Sequence, residues 1–196
     1  MADLILASSS PRRSELLTEA GYRFRVVPPR AKAECGVCSD ESPAELVARL
    51  AYQKAADVAC RVPQGVIVAC DTVAECRGQI LGKPVDEQHA RQMLELLSGR
   101  EHRVYSGLCI WHAAKNHSRV QVAQTVLRMD PLEPAQIDDY LASGLWEGKA
   151  GAFGYQDRLG WLRVIEGSES NVVGLPLELL ATMLAADDGR ADRPKL

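Results

Sequence analysis

The chain has no apolar run approaching the roughly 20 residues that a bilayer-spanning helix requires. Asp3 and then Arg12 and Arg13 break its apolar start too early for the core of a secretory leader, so the expectation is a cytoplasmic protein with no membrane partner. Positive charge is not in excess either. The 23 lysines and arginines face 26 acids, a net charge of −3, so nucleic acid is not an expected partner and any polyanion must meet a local basic cluster. The six cysteines build no zinc-finger framework, because Cys35-x-x-Cys38 has no second ligand pair at the right spacing. Reduced thiols are expected in this compartment, and Cys60, Cys70 and Cys109, in apolar surroundings, read as small core residues. The Gly-x4-Gly-Lys-Ser/Thr framework is missing, which excludes a P-loop, and there is no internal repeat or low-complexity linker.

What is present is an ordinary globular composition, 46% hydrophobic and 25% charged, over 196 residues, enough to bury a real core. A single domain is expected over residues 1–186, with a polar tail over 187–196. The stretch from Leu4 to Leu16 organises the rest. Leu4–Ala7 suits a buried strand, and Ser10 stands as a helix N-cap because Pro11 follows where a missing N–H costs nothing. Leu16, Leu17 and Ala20 supply the apolar face and Gly21 the stop. Two features are odd for a purely structural element. Arg12 and Arg13 occupy the first turn, where the helix dipole disfavours each cation by roughly 0.3–1 kcal/mol, and Ser8, Ser9 and Ser10 precede them. Amides, hydroxyls and two guanidinium forks at one helix start make a phosphate site; a solvated arginine pair after an ordinary cap is the alternative.

Further along, Tyr22–Val27 alternates as a half-buried strand, and a polar loop runs from Pro28 to Glu41. Within it Glu34 is either a metal or site carboxylate or a solvated acid. Ser42-Pro43-Ala44-Glu45 is a capping-box pattern opening a helix to about Arg61, with Arg49 and Lys54 edging one site. Val66–Cys70 reads as a central strand ending at Asp71-Thr72, the usual address of catalytic carboxylates in α/β sheets, with a turn aspartate as the alternative. A hairpin turning at Arg77-Gly78 returns Lys83 towards Asp71. Asp86 caps a helix with Ala90, Met93, Leu94 and Leu97 on one face, and two long strands, Glu101–His112 and Arg119–Met129, follow. After a short helix from Pro134 comes Gly148–Asp157, whose glycines permit close approach to a ligand, with Lys149 and Gln156 as polar contacts; a flexible loop is the other reading. Trp161–Ile165 reads as a strand, Gly167–Gly174 as a polar loop, and Pro176 opens a final helix.

Seven of these segments, in order, resemble the Maf family of nucleoside triphosphate pyrophosphatases. They are Leu-Ala-Ser-Ser-Ser-Pro-Arg-Arg (6–13), Ala-Arg-Leu-Ala-x-x-Lys-Ala (48–55), Asp-Thr-Val (71–73) and Leu-Gly-Lys-Pro (81–84). The others are Leu-Ser-Gly-Arg-Glu-His-Arg-Val (97–104), Lys-Ala-Gly-Ala-Phe-Gly-Tyr-Gln (149–156) and Asn-Val-Val-Gly-Leu-Pro-Leu (171–177). The resemblance implies an α/β fold with an elongated mixed β-sheet flanked by helices, in a two-lobed architecture like that of inosine triphosphatases, and a homodimer. It implies hydrolysis of a nucleoside triphosphate to the monophosphate and pyrophosphate with a divalent metal cation, in a house-cleaning role. Asp71 would then be general base or metal-assisted activator of water, and Ser8, Ser9, Ser10, Arg12, Arg13, Lys54 and Lys83 would hold phosphates. Mg²⁺ or Mn²⁺ suits hard oxygen ligands, Asp71 and Glu34 among them. Arg12, Thr72 and Gln156 match the subgroup cleaving dTTP and UTP, with modified pyrimidine triphosphates included. A 7-methyl-GTP pyrophosphatase of the same family and a non-catalytic nucleotide-binding regulator of cell division are the competing readings.

Overall fold

A computed structural model describes residues 3–30 and 40–191, with side chains as far as residue 186. The polar loop's Glu34, Cys35 and Cys38 lie outside the described residues. The strands are β1 (Leu4–Leu6), β2 (Phe24–Val26), β3 (Val66–Cys76), β4 (Gln79–Leu81), β5 (Glu101–His112), β6 (His117–Met129) and β7 (Leu162–Glu166). The helices are α1 (Pro11–Glu19), α2 (Pro43–Ala59), α3 (Glu87–Leu97), α4 (Pro134–Ala142), α5 (Glu169–Val173) and α6 (Leu177–Ala191).

All seven strands join one mixed sheet in the order β2-β1-β3-β5-β6-β7, with β4 paired to β3. β1 runs parallel to β2 and β3, and every other pair is antiparallel. The expected α/β class with a long mixed sheet is therefore what is seen. Length comes from β3, β5 and β6, whose 11, 12 and 13 residues pair almost end to end.

Alternation along β3 sends Val66, Val68 and Cys70 to a core shared with Leu17 of α1 and Leu180 and Met183 of α6. Ile67 and Ala69 go to the opposite face, against Ala51, Ala55 and Val58 of α2. A third cluster lies further along the sheet, where Ala90, Met93, Leu94 and Leu97 of α3 meet Ile137, Tyr140 and Leu141 of α4 together with Phe153. Both capping expectations for the long helices hold in full. Ser42 Oγ accepts from the Glu45 amide while Glu45 returns a bond to the Ser42 amide, and Asp86 accepts from the His89 amide.

Several elements differ from the sequence reading. The strand at Tyr22–Val27 shortens to Phe24–Val26. The segment Gly167–Gly174 contains the one-turn helix α5, capped by Ser168 and anchored by fully buried Asn171, whose amide donates to the Val104 carbonyl and to Thr125 Oγ1. Cys60 is exposed at the C-cap of α2, its backbone still helical, at a position that falls off the buried face of Ala51, Ala55 and Val58. Helix α6 continues to Ala191, beyond the Asp187 at which the polar tail was expected to begin.

Candidate active site

The site forms where the sheet is incomplete. β1 flanks β3 only along Val66–Val68, and β4 flanks it only along Ala74–Cys76. Among the described residues no strand covers that edge of β3 at Cys70–Val73, and both the loop leaving β1 and the residues leaving β4 open onto the gap. Asp71 was expected at a strand's end. It sits mid-strand instead, because β3 runs unbroken into its hairpin, yet it still lies beyond the carboxyl end of neighbouring β1.

Asp71 falls on the α2 face, in phase with Ile67 and Ala69. Helix α2 comes close enough to reach it because the residue opposite Asp71 on β5 is Gly107. A Cβ at Gly107 would stand 2.0 Å from the Val47 carbonyl oxygen of α2. Lys54, flanked by Ala51 and Ala55 on the same helix, then places its Nζ 2.6 Å from Asp71 Oδ1, the two side chains being 7% and 15% exposed. Arg49 does not join it. Five residues at about 100° each put the two some 140° apart around the helix, and Arg49 turns instead to Glu41, Nε donating to Oε1 at 2.5 Å.

Thr72 points to the other face, where Arg13 ties three segments together. Arg13 Nε donates to the Gly174 carbonyl at 2.7 Å, one Nη to Ser8 Oγ at 3.3 Å, and the other to Thr72 Oγ1 at 3.2 Å. Thr72 Oγ1 is also 2.8 Å from the buried Ser106 hydroxyl. Arg13 is thus held by three protein acceptors, whereas Arg12, nearer the surface, donates to one, the Gly148 carbonyl, at 2.9 Å. Burial, with help from the neighbouring Arg13, holds the Arg12 pKa below its ordinary value, against the opposing pull of Asp157 and Glu15. Ser8 is buried and accepts from the Ser10 amide at 3.1 Å. Ser10 occupies the N-cap position of α1, but its hydroxyl makes no capping bond, so the first turn is not closed off by its own side chain.

Two adjoining chambers result, each of about 320 Å³. The first is walled by Leu46, Leu50, Val73, Ile80 and Phe153, with Asp71, Thr72 and Gln156 among its polar residues. The second is polar, lined by Ser8, Ser9, Ser10, Arg12, Arg13, Lys54 and Lys83, with Glu147 at its edge. Lys54, Lys83, Ser10 and both arginines belong to both. Every expected site residue within the described chain except Arg49 therefore borders one cavity system; Glu34 lies outside the described residues. Lys149, expected as a ligand contact, lines the first chamber and is bonded to Asp157, Nζ to Oδ1 at 2.6 Å. Sequence reasoning missed the apolar walls, Ser106 and the Gly174 carbonyl. The last had a signal, since Asn-Val-Val-Gly was among the motif segments while being read structurally as loop. Among the described residues no three His, Cys, Asp or Glu side chains gather as a metal-binding group.

A family model described as Maf-like protein matches residues 3–187. The chain belongs to the Maf family. Maf relatives include a dTTP/UTP pyrophosphatase of Rhodopirellula baltica, 53% identical over 97% of this chain and 84% of its own length. A second, the dTTP/UTP pyrophosphatase of Carboxydothermus hydrogenoformans, is 43% identical over 90% of this chain and 94% of its own. Among solved structures, the Ham1 protein of Staphylococcus aureus matches with a TM-score of 0.53 at 13% identity, covering 94% of this chain and 99% of that one. A HAM1 protein from Coxiella burnetii gives 0.53 at 15% identity, over 95% and 100%. At these identities the likeness is one of fold.

Proposed function

We propose that this Maf chain is a pyrophosphatase of dTTP and UTP, and of modified pyrimidine triphosphates, cutting between the α- and β-phosphates. The observation that carries the reading is the Asp71–Lys54 pair at the junction of an apolar chamber bearing Gln156 and a basic chamber bearing Arg12 and Lys83. The base enters the first, where the Gln156 amide can donate and accept at once, as a pyrimidine edge requires. The leaving pyrophosphate enters the second. At the junction Asp71 accepts a proton from water attacking the α-phosphorus, and the bond from that phosphorus to the α–β bridging oxygen breaks. Lys54, Lys83 and Arg12 offset the charge that develops on the departing oxygens. Lys54 has a second task, because a phosphate oxygen that draws it away from Asp71 frees the carboxylate for the proton.

Asp71 is the one carboxylate of the first chamber among the described residues, and one carboxylate with substrate phosphates is a donor set that suits Mg²⁺ or Mn²⁺. Bound there, with Glu34 as the proposed second acid, such an ion would neutralise phosphate charge and polarise the attacked phosphorus. Cytoplasmic location and a homodimer belong to the same proposal; among the described residues no helix is long and apolar enough to cross a membrane. The test is pyrophosphate release from canonical and modified triphosphates with Mg²⁺. Release from dTTP and UTP is expected, and release confined to 7-methyl-GTP, or none with binding intact, would overturn the reading.

A further inference from the structure

A buried ion pair outside the reaction closes the glycine-rich segment on itself. Lys149 and Asp157 stand at its two ends, with side chains 8% and 7% exposed, and Lys149 Nζ donates to both carboxylate oxygens. Tyr140 of α4 donates its hydroxyl to Asp157 Oδ2 at 2.8 Å. Burial and the neighbouring carboxylate raise the Tyr140 pKa, so the hydroxyl keeps its proton. Gly154 packs against the pair so closely that a Cβ there would lie 2.5 Å from Lys149 Nζ and 2.7 Å from Asp157 Oδ2. Between the two ends the backbone takes left-handed φ at Gly151 (+70°) and at fully buried Ala152 (+63°). A side-chain-bearing residue holds that conformation only where its surroundings over-determine it.

The segment so fixed carries the residues that face the base. Phe153 and Gln156 line the first chamber, and Gly148, one residue before Lys149, accepts the Arg12 guanidinium. We propose that the Lys149–Asp157–Tyr140 cluster is a specificity device, and that Asp157 and Tyr140 are positioning residues which select the pyrimidine by holding Phe153 and Gln156 in place. The inference rests on the pyrimidine triphosphate reading above. An apolar contact in the same place would give comparable stability but tolerate sliding. An ammonium bridging two oxygens, with a hydroxyl fixing one of them, sets the distance between the ends of the segment, and Gln156 is adjacent to one end.

The experiment is steady-state kinetics of the full chain on dTTP, UTP, dCTP and dGTP, for wild type, Asp157→Asn and Tyr140→Phe. Asp157→Asn is expected to raise KM for dTTP and UTP about tenfold and to lower their kcat/KM advantage over dGTP by a similar factor, with kcat falling less than about threefold. Tyr140→Phe, which leaves the ion pair intact, is expected to move the same quantities by about threefold. If Asp157→Asn does not fold, Tyr140→Phe decides alone. Folded variants with wild-type KM and base preference, or an equal loss of kcat on every nucleotide, would overturn the clamp. A wild type that cleaves neither dTTP nor UTP overturns the functional reading and this inference with it; a wild type that does, with unchanged variants, overturns the clamp alone.

Discussion

Asp71 and Lys54 hold each other at 2.6 Å with little water around either, so a substitution there has to separate charge from shape. Asp71→Asn keeps the volume and an acceptor oxygen for Lys54 while removing the proton acceptor. We expect pyrophosphate release from dTTP to fall by about 10²–10⁴, the usual worth of a general base, with nucleotide binding by calorimetry retained. Release within tenfold of wild type would remove Asp71 from that role. A second residue is informative through burial alone. His102 is 1% exposed, with Nε2 lacking a hydrogen-bond partner among the described residues and the ring edge-on to Phe153 at 5.2 Å. Burial pushes its pKa from 6.5 down to about 4. The unfolded chain therefore takes up a proton between these values while the folded chain does not, so stability present above pH 6.5 is lost as pH falls towards 4. The loss is on the order of 3 kcal/mol. Denaturant titrations from pH 7 to 4 should show it, and His102→Gln should flatten that limb; an unchanged slope in the variant would assign the loss elsewhere.

Helix α2 serves the site only because β5 offers it a residue without a side chain. Gly107→Ala places a methyl group inside van der Waals contact of the Val47 carbonyl, which is backbone and cannot rotate away, so the helix must shift. The expected result is destabilisation of about 1–3 kcal/mol or more by denaturant melt. Turnover should fall further than stability accounts for, since Lys54 leaves Asp71. Ser42→Ala is the control. It removes the capping bond at the far end of the same helix, costs about 1 kcal/mol and should leave kcat unchanged. A Gly107→Ala chain with wild-type kcat would separate the helix's position from catalysis. At the scale of elements much is legible in the amino-acid sequence. The capping box and the spacing of Ala90, Met93, Leu94 and Leu97 are local signals, and the helices they mark form where those signals place them. The helix at Glu169–Val173 is not legible in this way. Five residues cannot sustain a helix by propensity, and this one depends on Asn171 reaching Val104 and Thr125, over 40 residues away in sequence.

The whole molecule brings residues from Ser10 to Gly174 to one cavity, and that gathering is what the sequence conveys least directly. Motif segments mark which stretches meet, but not that Arg13 joins Ser8, Thr72 and Gly174 while Arg12 reaches Gly148, nor that Lys149 finds Asp157. Those outcomes depend on how strands far apart in sequence register. The gathering also has a thermodynamic consequence. A nucleotide filling both chambers touches α1, α2, β3, the residues after β4, the 149–157 segment and α5, so opening any of them loses ligand contacts. In the Asp71→Asn chain, where substrate persists, dTTP at about 100 times its Kd should add about 2.7 kcal/mol of stability. For a chain of this length that corresponds to a Tm rise of roughly 5–10 °C. On the proposed division of the site, pyrophosphate engages the basic chamber and dTMP chiefly the apolar one, so each at the same concentration should raise Tm by less than dTTP. Equal shifts from pyrophosphate and dTTP would mean that the chamber walled by Leu46, Phe153 and Gln156 contributes nothing to binding, and the division of the site between base and leaving group would fail.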